Sequence, residues 1–153
     1  MTLRFTTTSA NETRALGRAL ARVAEPGMVV ALDGDLGAGK TTLVQGFAAE
    51  MGAVEPVASP TFVLMRVYQG RLAIHHFDAY RLEETDSLDD LGIDDYLWGE
   101  GVCLVEWAER IDHAMPEDRL DVAIEQVGEN ERRIAMTPRG PLHAAMVDRM
   151  EPS

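Results

Sequence analysis

The spacing of apolar residues divides the first half of the chain into alternating strands and helices. Residues 3–6 alternate weakly between apolar and polar side chains, which predicts a strand. Ser9 and Glu12 have the spacing of a capping box, so a helix is predicted to follow. Residues 28–32 form a continuous apolar run typical of a strand buried on both faces, and residues 40–51 return to helical spacing.

The second half contains patterns that a purely parallel sheet would not have. Residues 63–68 and 72–77 are two strand-like runs with a tight connection between them, which predicts an antiparallel hairpin. Residues 102–105 resemble another buried strand, and residues 120–127 and 132–136 alternate like two antiparallel strands. These patterns predict an α/β fold with a mixed, partly antiparallel sheet.

Two segments carry weaker patterns. Residues 83–101 are acidic with spaced apolar positions, which predicts one or two short helices whose charged outer face is solvated rather than metal-binding. The tail over residues 138–153 is predicted either as a short helix over 142–150 or as a frayed end. No repeat or linker interrupts the chain, so residues 1–153 are predicted to form a single domain.

Composition and charge narrow the classes of function. The chain has 153 residues, of which 46% are hydrophobic, but no apolar run reaches the ~18 residues of a membrane span, and we expect a cytoplasmic protein. The net charge of −12 opposes direct binding to a nucleic-acid backbone. The one cysteine, Cys103, lies in a predicted strand and is interpreted as a small core residue.

The loop between the second strand and the second helix has the full pattern of a phosphate-binding loop. Gly34 is followed after four residues by Gly39, Lys40 and Thr41, with a strand before and a helix after. A chance glycine-rich turn is the weaker interpretation, because four specified positions coincide with the strand and the helix that flank them. We expect the backbone to surround phosphates, Lys40 to reach the terminal phosphates and Thr41 to hold a magnesium ion. The predicted cradle is Leu36, Gly37, Ala38, Gly39, Lys40, Thr41 and Thr42.

Lysine usage bears on the identity of the nucleotide. Lys40 is the only lysine among 14 basic residues, the others being arginines. A guanine-reading Asn-Lys-x-Asp motif therefore cannot exist elsewhere in the chain, which favours ATP over GTP.

Hydrolysis or transfer also requires an acid near the phosphates. Glu106 follows the strand over 102–105, where an acid of the Walker B type would lie, and Asp78 follows the strand over 72–77. The competing structural interpretation of Glu106 is a strand-end carboxylate at the surface, and that of Asp78 is a helix or turn cap. Adjacent His75 and His76 would point to opposite faces of a strand, which disfavours a zinc site.

Four segments in order, GDLGAGKTT, SPTF, HFDAYRL and LVEWAER, resemble the TsaE (YjeE) family of bacterial ATPases. The resemblance spans about a hundred residues and implies a three-layer P-loop NTPase-like fold with a mixed sheet. It also implies weak ATP hydrolysis and action with the TsaB and TsaD proteins. These partners support threonylcarbamoyl transfer to an adenosine beside the anticodon, so contact with tRNA would be indirect.

The resemblance assigns roles to individual residues. It implies that Lys40 binds phosphate and that Thr41 and Glu106 associate with magnesium. It implies that Thr61 is a switch threonine and that Asp78 is a catalytically important acid.

Three further positions are assigned less fully. Trp107 matches the tryptophan of the family, although core packing would also explain it. Arg133 is placed near the nucleotide. Ala108 stands where the family often has proline, a change that we do not interpret as loss of function.

We expect an ATPase whose nucleotide state controls association with a tRNA-modifying complex. One alternative is a small-molecule kinase of P-loop type, although Arg66, Arg71 and Arg81 are too scattered to resemble an arginine-rich lid. The other is a nucleotide-binding regulator without turnover, which differs in whether Asp78 and Glu106 matter for hydrolysis.

Overall fold

The fold was analysed in a computed structural model that describes residues 1–35, 38–57, 65–79 and 99–150. The predictions for Leu36, Gly37 and Thr61, and nearly all of the acidic segment over 83–101, lie outside the described residues.

The described strands form one mixed sheet, and its centre is parallel. Strand β2 pairs in parallel with β5 and β6, and β4 pairs in parallel with β5. The outer pairs β1–β7, β6–β7 and β3–β4 are antiparallel, so the predicted hairpin and the predicted mixed sheet are confirmed. The order across the sheet is β1-β7-β6-β2-β5-β4-β3. The strands are β1 Leu3–Thr7, β2 Val29–Asp33, β3 Met65–Gln69, β4 Ala73–Asp78, β5 Val102–Glu106, β6 Arg119–Gln126 and β7 Arg132–Arg139.

Three α-helices and one 3-10 helix accompany the sheet in the described ranges. Helices α1 (Ala10–Arg22) and α2 (Lys40–Glu50) match the predicted helices, and α3 (Pro141–Asp148) confirms the helical alternative for the tail. The 3-10 helix Ala108–Ala114 was not predicted from the sequence. None of the described helices combines the length and the apolar character needed to cross a bilayer.

Alternation along the strands separates two apolar clusters, one on each face of the sheet. On one face, Leu104 and its even-numbered strand neighbours pack with residues of α1, α2 and α3. On the other face, Val105 packs with the 3-10 helix through Ala108 and Ile111. The arrangement has helix, sheet and helix in three layers, and Cys103 is buried in the second cluster as predicted.

The start of α1 is capped by the predicted residue but with a shifted return bond. The backbone N–H of Glu12 donates to Ser9 Oγ at 3.1 Å, as a capping box requires. The Glu12 carboxylate instead accepts from the backbone N–H and the hydroxyl of Thr8, at 2.6 and 2.8 Å. These bonds lower the pKa of Glu12 and fix the turn between β1 and α1.

Helix α1 holds the phosphate-loop helix α2 through direct contact of their backbones. A Cβ atom added at Gly17 would lie 2.2 Å from the carbonyl oxygen of Leu43, and one added at Gly46 would lie 2.0 Å from that of Arg14. These distances leave room only for hydrogen. The two glycines therefore set how closely α2 approaches α1, and with it where α2 begins.

Helix α3 is fastened to the amino end of β2 by a buried histidine. The backbone N–H of Val29 donates to His143 Nε2 at 2.9 Å, so Nδ1 carries the ring proton and donates to Asp118 at 2.7 Å. Asp118 also accepts from the backbone N–H groups of Leu142 and His143. The carboxylate thus caps α3 and orients its histidine.

The close contact at Gly46 predicts that a glycine-to-alanine change in this helix lowers the stability of the protein, whereas such a change in a helix usually raises it. Gly46→Ala should destabilise the protein by about 1–3 kcal/mol, because the added methyl group forces α1 and α2 apart. Helix propensity alone would give a gain of up to about 1 kcal/mol. Urea unfolding measures the change. The reverse substitution at exposed Ala49 in the same helix calibrates propensity, and a Gly46→Ala protein more stable than the wild type would contradict the contact.

Candidate functional site

The described part of the phosphate loop turns sharply between the end of β2 and the start of α2. A Cβ atom at Gly34 would lie 2.6 Å from the carbonyl oxygen of Ile124, so the loop leaves β2 in contact with β6. Gly39 has a φ of 111°, a conformation that favours glycine, and it immediately precedes α2. Ala38 between them is buried. Both glycines of the motif are therefore required by the backbone.

Lys40 is buried at the start of α2, with only 5% of its surface exposed. Its ammonium donates a hydrogen bond to the carbonyl oxygen of Gly34 at 2.6 Å. The same Nζ atom lies 3.7 Å from the ring centroid of Trp107, a cation–π contact. A carbonyl oxygen and an aromatic face thus hold the ammonium at the mouth of the loop.

Four acidic side chains surround this ammonium. Burial lowers the pKa of Lys40, while the negative charges of Glu106, Asp78, Glu109 and Asp33 act in the opposite direction. The burial effect is the larger. The single lysine of the chain is therefore kept cationic by neighbouring carboxylates rather than by water.

Trp107 owes its position to an uncommon backbone conformation. It is the only non-glycine residue in the described ranges with positive φ (59°), and it connects β5 to the 3-10 helix. Its backbone N–H donates to the carbonyl oxygen of Leu32 at 3.0 Å. Bulky residues rarely adopt this conformation, and such strain collects at functional sites. The turn places the indole ring over Lys40, so Trp107 does more than fill the core.

Asp78 and Glu106 lie side by side at the carboxyl edge of the sheet. They end strands β4 and β5, and they are direct partners in the parallel register. The backbone N–H of Ala79 donates to the carbonyl oxygen of Glu106 at 2.9 Å and extends this pairing. Glu106 is 4% exposed, so it is not a strand-end carboxylate at the surface. The structure brings both predicted acids to the edge that carries the phosphate loop.

Thr41 and Thr42 occupy the first turn of α2 and are both half-buried. The hydroxyl of Thr41 and the carboxylates of Asp78 and Glu106 supply oxygen donors, which are the ligands that Mg²⁺ prefers. Within the described ranges, no group of three or more His, Cys, Asp or Glu side chains is arranged to hold a metal alone. A magnesium ion here would need phosphate oxygens as further ligands, as is usual in nucleotide sites.

Sequence reasoning missed a histidine that contacts Glu106. His76 is fully buried, and its Nε2 atom lies 2.6 Å from Glu106 Oε2. His75, its neighbour in the strand, points to the other face and is half-buried. The sequence pattern of the adjacent histidines was interpreted only in terms of a metal site. The signal that could have identified His76 is its spacing of two residues from Asp78, which places both side chains on one face of the strand.

Arg132, rather than Arg133, contacts the phosphate loop. Arg132 Nε donates to the carbonyl oxygen of Ala38 at 2.8 Å. Arg133 is exposed on the opposite face of β7, where it pairs in register with Thr6 and Glu125. Successive side chains of a strand alternate between faces, and buried Ile134 shares its face with Arg132. That alternation was the signal that could have selected Arg132.

A second acidic pair lies on the other face of the sheet. Asp33 ends β2, and its carboxyl lies against the side chain and backbone of Glu109 in the 3-10 helix. Burial, followed by this contact, raises the pKa of Asp33 to about 7, whereas the pKa of Glu109 is lowered. The pair therefore shares a proton, which resides on Asp33, below neutral pH.

The single lysine allows its surroundings to be measured directly. Labelling with [13Cε]-lysine gives one NMR resonance, whose titration should show a pKa below the ordinary lysine value. Glu106→Gln should lower this pKa further, because it removes the carboxylate that most stabilises the ammonium. Glu117→Gln, an exposed change at the opposite edge of the sheet, is the control. An unchanged midpoint in Glu106→Gln would contradict the arrangement.

The raised pKa of Asp33 predicts how stability depends on pH. Between about pH 4 and about pH 7 the folded protein binds a proton that the unfolded chain releases, so the free energy of unfolding falls as pH rises. Asp33→Asn should remove this loss. Its stability relative to the wild type should rise by about 2 kcal/mol from pH 4 to pH 8, roughly half of the full linkage value for this pKa shift, because solvent screens the partly exposed carboxyl. Urea unfolding at both pH values measures it. Exposed Asp148→Asn should show a pH-independent difference, and the same result for Asp33→Asn would refute the shift.

Comparison with known proteins shows which family the chain is similar to. The family model described as threonylcarbamoyl adenosine biosynthesis protein TsaE matches residues 7–134. The tRNA threonylcarbamoyladenosine biosynthesis protein TsaE of Bacillus subtilis (strain 168) is 45% identical over 139 residues, covering 90% of this chain and 87% of the relative. The protein of the same name from Treponema pallidum (strain Nichols) is 38% identical over 134 residues, covering 88% and 99%.

A solved structure extends the similarity to the fold. The crystal structure of Bacillus subtilis YdiB matches with a TM-score of 0.86 and 37% sequence identity, and the match covers 98% of this chain and 94% of that one. The predicted α/β, P-loop NTPase-like fold is therefore confirmed. With a family model across residues 7–134 and relatives similar over most of their length, the chain belongs to the TsaE family.

Proposed function

We propose that this protein binds and hydrolyses ATP as a component of the bacterial machinery that forms threonylcarbamoyladenosine in tRNA. It would act through nucleotide-dependent association with a TsaB–TsaD complex. Family membership supports the pathway, since the relatives carry its name. The observation that carries the ATPase proposal is the meeting of Lys40, Asp78 and Glu106 at one end of the phosphate loop.

The contacts of Lys40 support a nucleotide-dependent rearrangement. Its ammonium is held by the Gly34 carbonyl and the Trp107 ring, both weaker partners than a phosphate. Bound phosphates would compete for the ammonium and release these contacts. Because Trp107 immediately precedes the 3-10 helix, a change at Lys40 would reach an element on the opposite face of the sheet. A phosphate-dependent change of shape is what a timing signal to a partner requires.

The surrounding acids fit magnesium-dependent hydrolysis. Magnesium, when bound with the nucleotide, would neutralise phosphate charge. Thr41 and Glu106 supply hard oxygen donors for this ion, and Asp78 lies beside Glu106 in register. Burial of Glu106 keeps water from competing for its carboxylate. Asp78 is then placed to orient the attacking water or to contact the ion.

The surface charge fits an indirect relation to tRNA. With a net charge of −12, the chain would repel a phosphate backbone. This repulsion does not oppose the proposed function if a partner protein, rather than this chain, binds the tRNA. The acidic surface then favours docking on a more basic protein surface, with association sensitive to salt.

The test is ATP hydrolysis by the purified protein, alone and with TsaB and TsaD. We expect slow turnover alone and faster turnover with the partners. Lys40→Ala should reduce turnover at least 100-fold under both conditions, because it removes a positive charge from the transferring phosphates. Glu106→Ala should cause a loss of similar size.

Glu117→Ala is the matched control for Glu106→Ala, because Glu117 is exposed at the opposite edge of the sheet. It should leave turnover unchanged. ATP consumption whose rate is unchanged by the partners and that requires a small acceptor molecule would overturn the proposal and favour a kinase. Tight ATP binding without turnover, unaffected by Glu106→Ala, would instead indicate a regulator.

A further inference from the structure

We propose that His76 is a positioning residue that orients the Glu106 carboxylate for its task at the nucleotide. It does so through a hydrogen bond from Nε2 to Glu106 Oε2, and Tyr68 holds the histidine ring in turn. This inference rests on the proposed ATPase function, because it assigns a role within that same site. It adds a chain of three buried side chains behind the acid.

The three residues lie on adjacent strands and on one face of the sheet. Tyr68 is on β3, His76 on β4 and Glu106 on β5, and they are 3%, 0% and 4% exposed. The distance from His76 Nε2 to Glu106 Oε2 is 2.6 Å, and that from Tyr68 Oη to His76 Nδ1 is 3.4 Å. The Tyr68 and His76 rings are tilted by 40° with centroids 6.0 Å apart. Backbone pairing of the three strands therefore fixes the positions of these three side chains relative to one another.

The chemistry of the groups sets the direction of the hydrogen bonds. An ionised carboxylate can only accept, so the proton of the short bond belongs to His76 Nε2. In the Nε2–H tautomer, Nδ1 is an acceptor, and the Tyr68 hydroxyl donates to it. Each group has one role in this arrangement. The ring is consequently held as the Nε2–H tautomer.

The consequence for Glu106 is a fixed choice of oxygen. His76 occupies Oε2, so the function of the carboxylate toward the ion or the attacking water falls to Oε1. A buried glutamate without such a partner would lose both solvation and a defined rotamer. Groups that orient a ligand in this way typically contribute 10–100-fold to metal affinity or activity.

Sequence position alone does not give this role to histidine 76. Its neighbour His75 lies on the same strand and has the same chemistry, but its side chain points to the opposite face of the sheet. It therefore provides a matched control for any substitution at His76. Gln is the conservative replacement, since its Nε2–H₂ group can donate to the same carboxylate oxygen. Leu fills a similar volume without a donor.

The first experiment reads the hydrogen bond without any nucleotide. In ¹⁵N-labelled protein, the His76 ring should show the shifts of the Nε2–H tautomer and a slowly exchanging Nε2 proton coupled to that nitrogen. The signal is assigned by its loss in His76→Gln, and it should persist in His75→Gln. Glu106→Gln should move this proton upfield, because the acceptor loses its charge. An Nδ1–H tautomer, or a proton signal insensitive to Glu106→Gln, would overturn the inference.

The second experiment separates positioning from general stability. His76→Leu should lower kcat for ATP about tenfold with little change in KM, and His76→Gln should recover much of the loss. Thermal unfolding confirms that each variant is folded under the assay conditions. His75→Leu should retain the wild-type kcat. Equal losses in His76→Gln and His76→Leu would contradict the donor role.

A double-mutant cycle shows whether His76 acts through Glu106. In a Glu106→Gln background, His76→Leu should change kcat by less than twofold, because the group it orients is already altered. A full tenfold loss in that background would overturn the inference while leaving the ATPase proposal intact. Absence of ATP turnover in the wild type with TsaB and TsaD would defeat the ATPase proposal itself, whereas the NMR result would still report the hydrogen bond.

Discussion

The arrangement of the site depends on burying one ammonium group among carboxylates. Taking the charge of Lys40 out of water is costly, and the structure offsets that cost with acids from three strand ends and the 3-10 helix. Those acids can surround one point because β2, β4 and β5 run parallel and end at the same edge of the sheet. The parallel centre of the sheet is thus an electrostatic requirement as well as a topological one.

Much of the architecture was predictable because its signals are local. The apolar run over 28–32, the glycine spacing of the loop and the alternation over 120–127 each depend on near neighbours in sequence. Helix α2 was predictable for the same reason, although its packing on α1 was not. That packing depends on Gly17 lying against the backbone of Leu43 and Gly46 lying against the backbone of Arg14, across 26 and 32 positions of sequence.

The candidate site was predictable in its residue types but not in its contacts. The motifs named Lys40 and Glu106, and the register of β4 and β5 placed Asp78 beside Glu106. The support behind these residues depends on long-range pairing: His76 meets Glu106 across 30 positions, and Arg132 meets Ala38 across 94. The turn at Trp107 was also missed, because tryptophan carries no local preference for positive φ.

The position of β1 has a consequence for how the protein emerges from the ribosome. Strand β1, the first to be synthesised, pairs with β7, which ends at Arg139, and the loop-bearing strand β2 pairs with β6, which ends at Gln126. The sheet around the phosphate loop therefore cannot close until β6 has been translated, because Val30 of β2 pairs with Leu120 of β6, 90 positions further along the chain. Such long-range pairing slows folding, and the strands that are translated early remain without their hydrogen-bonding partners until the later strands follow.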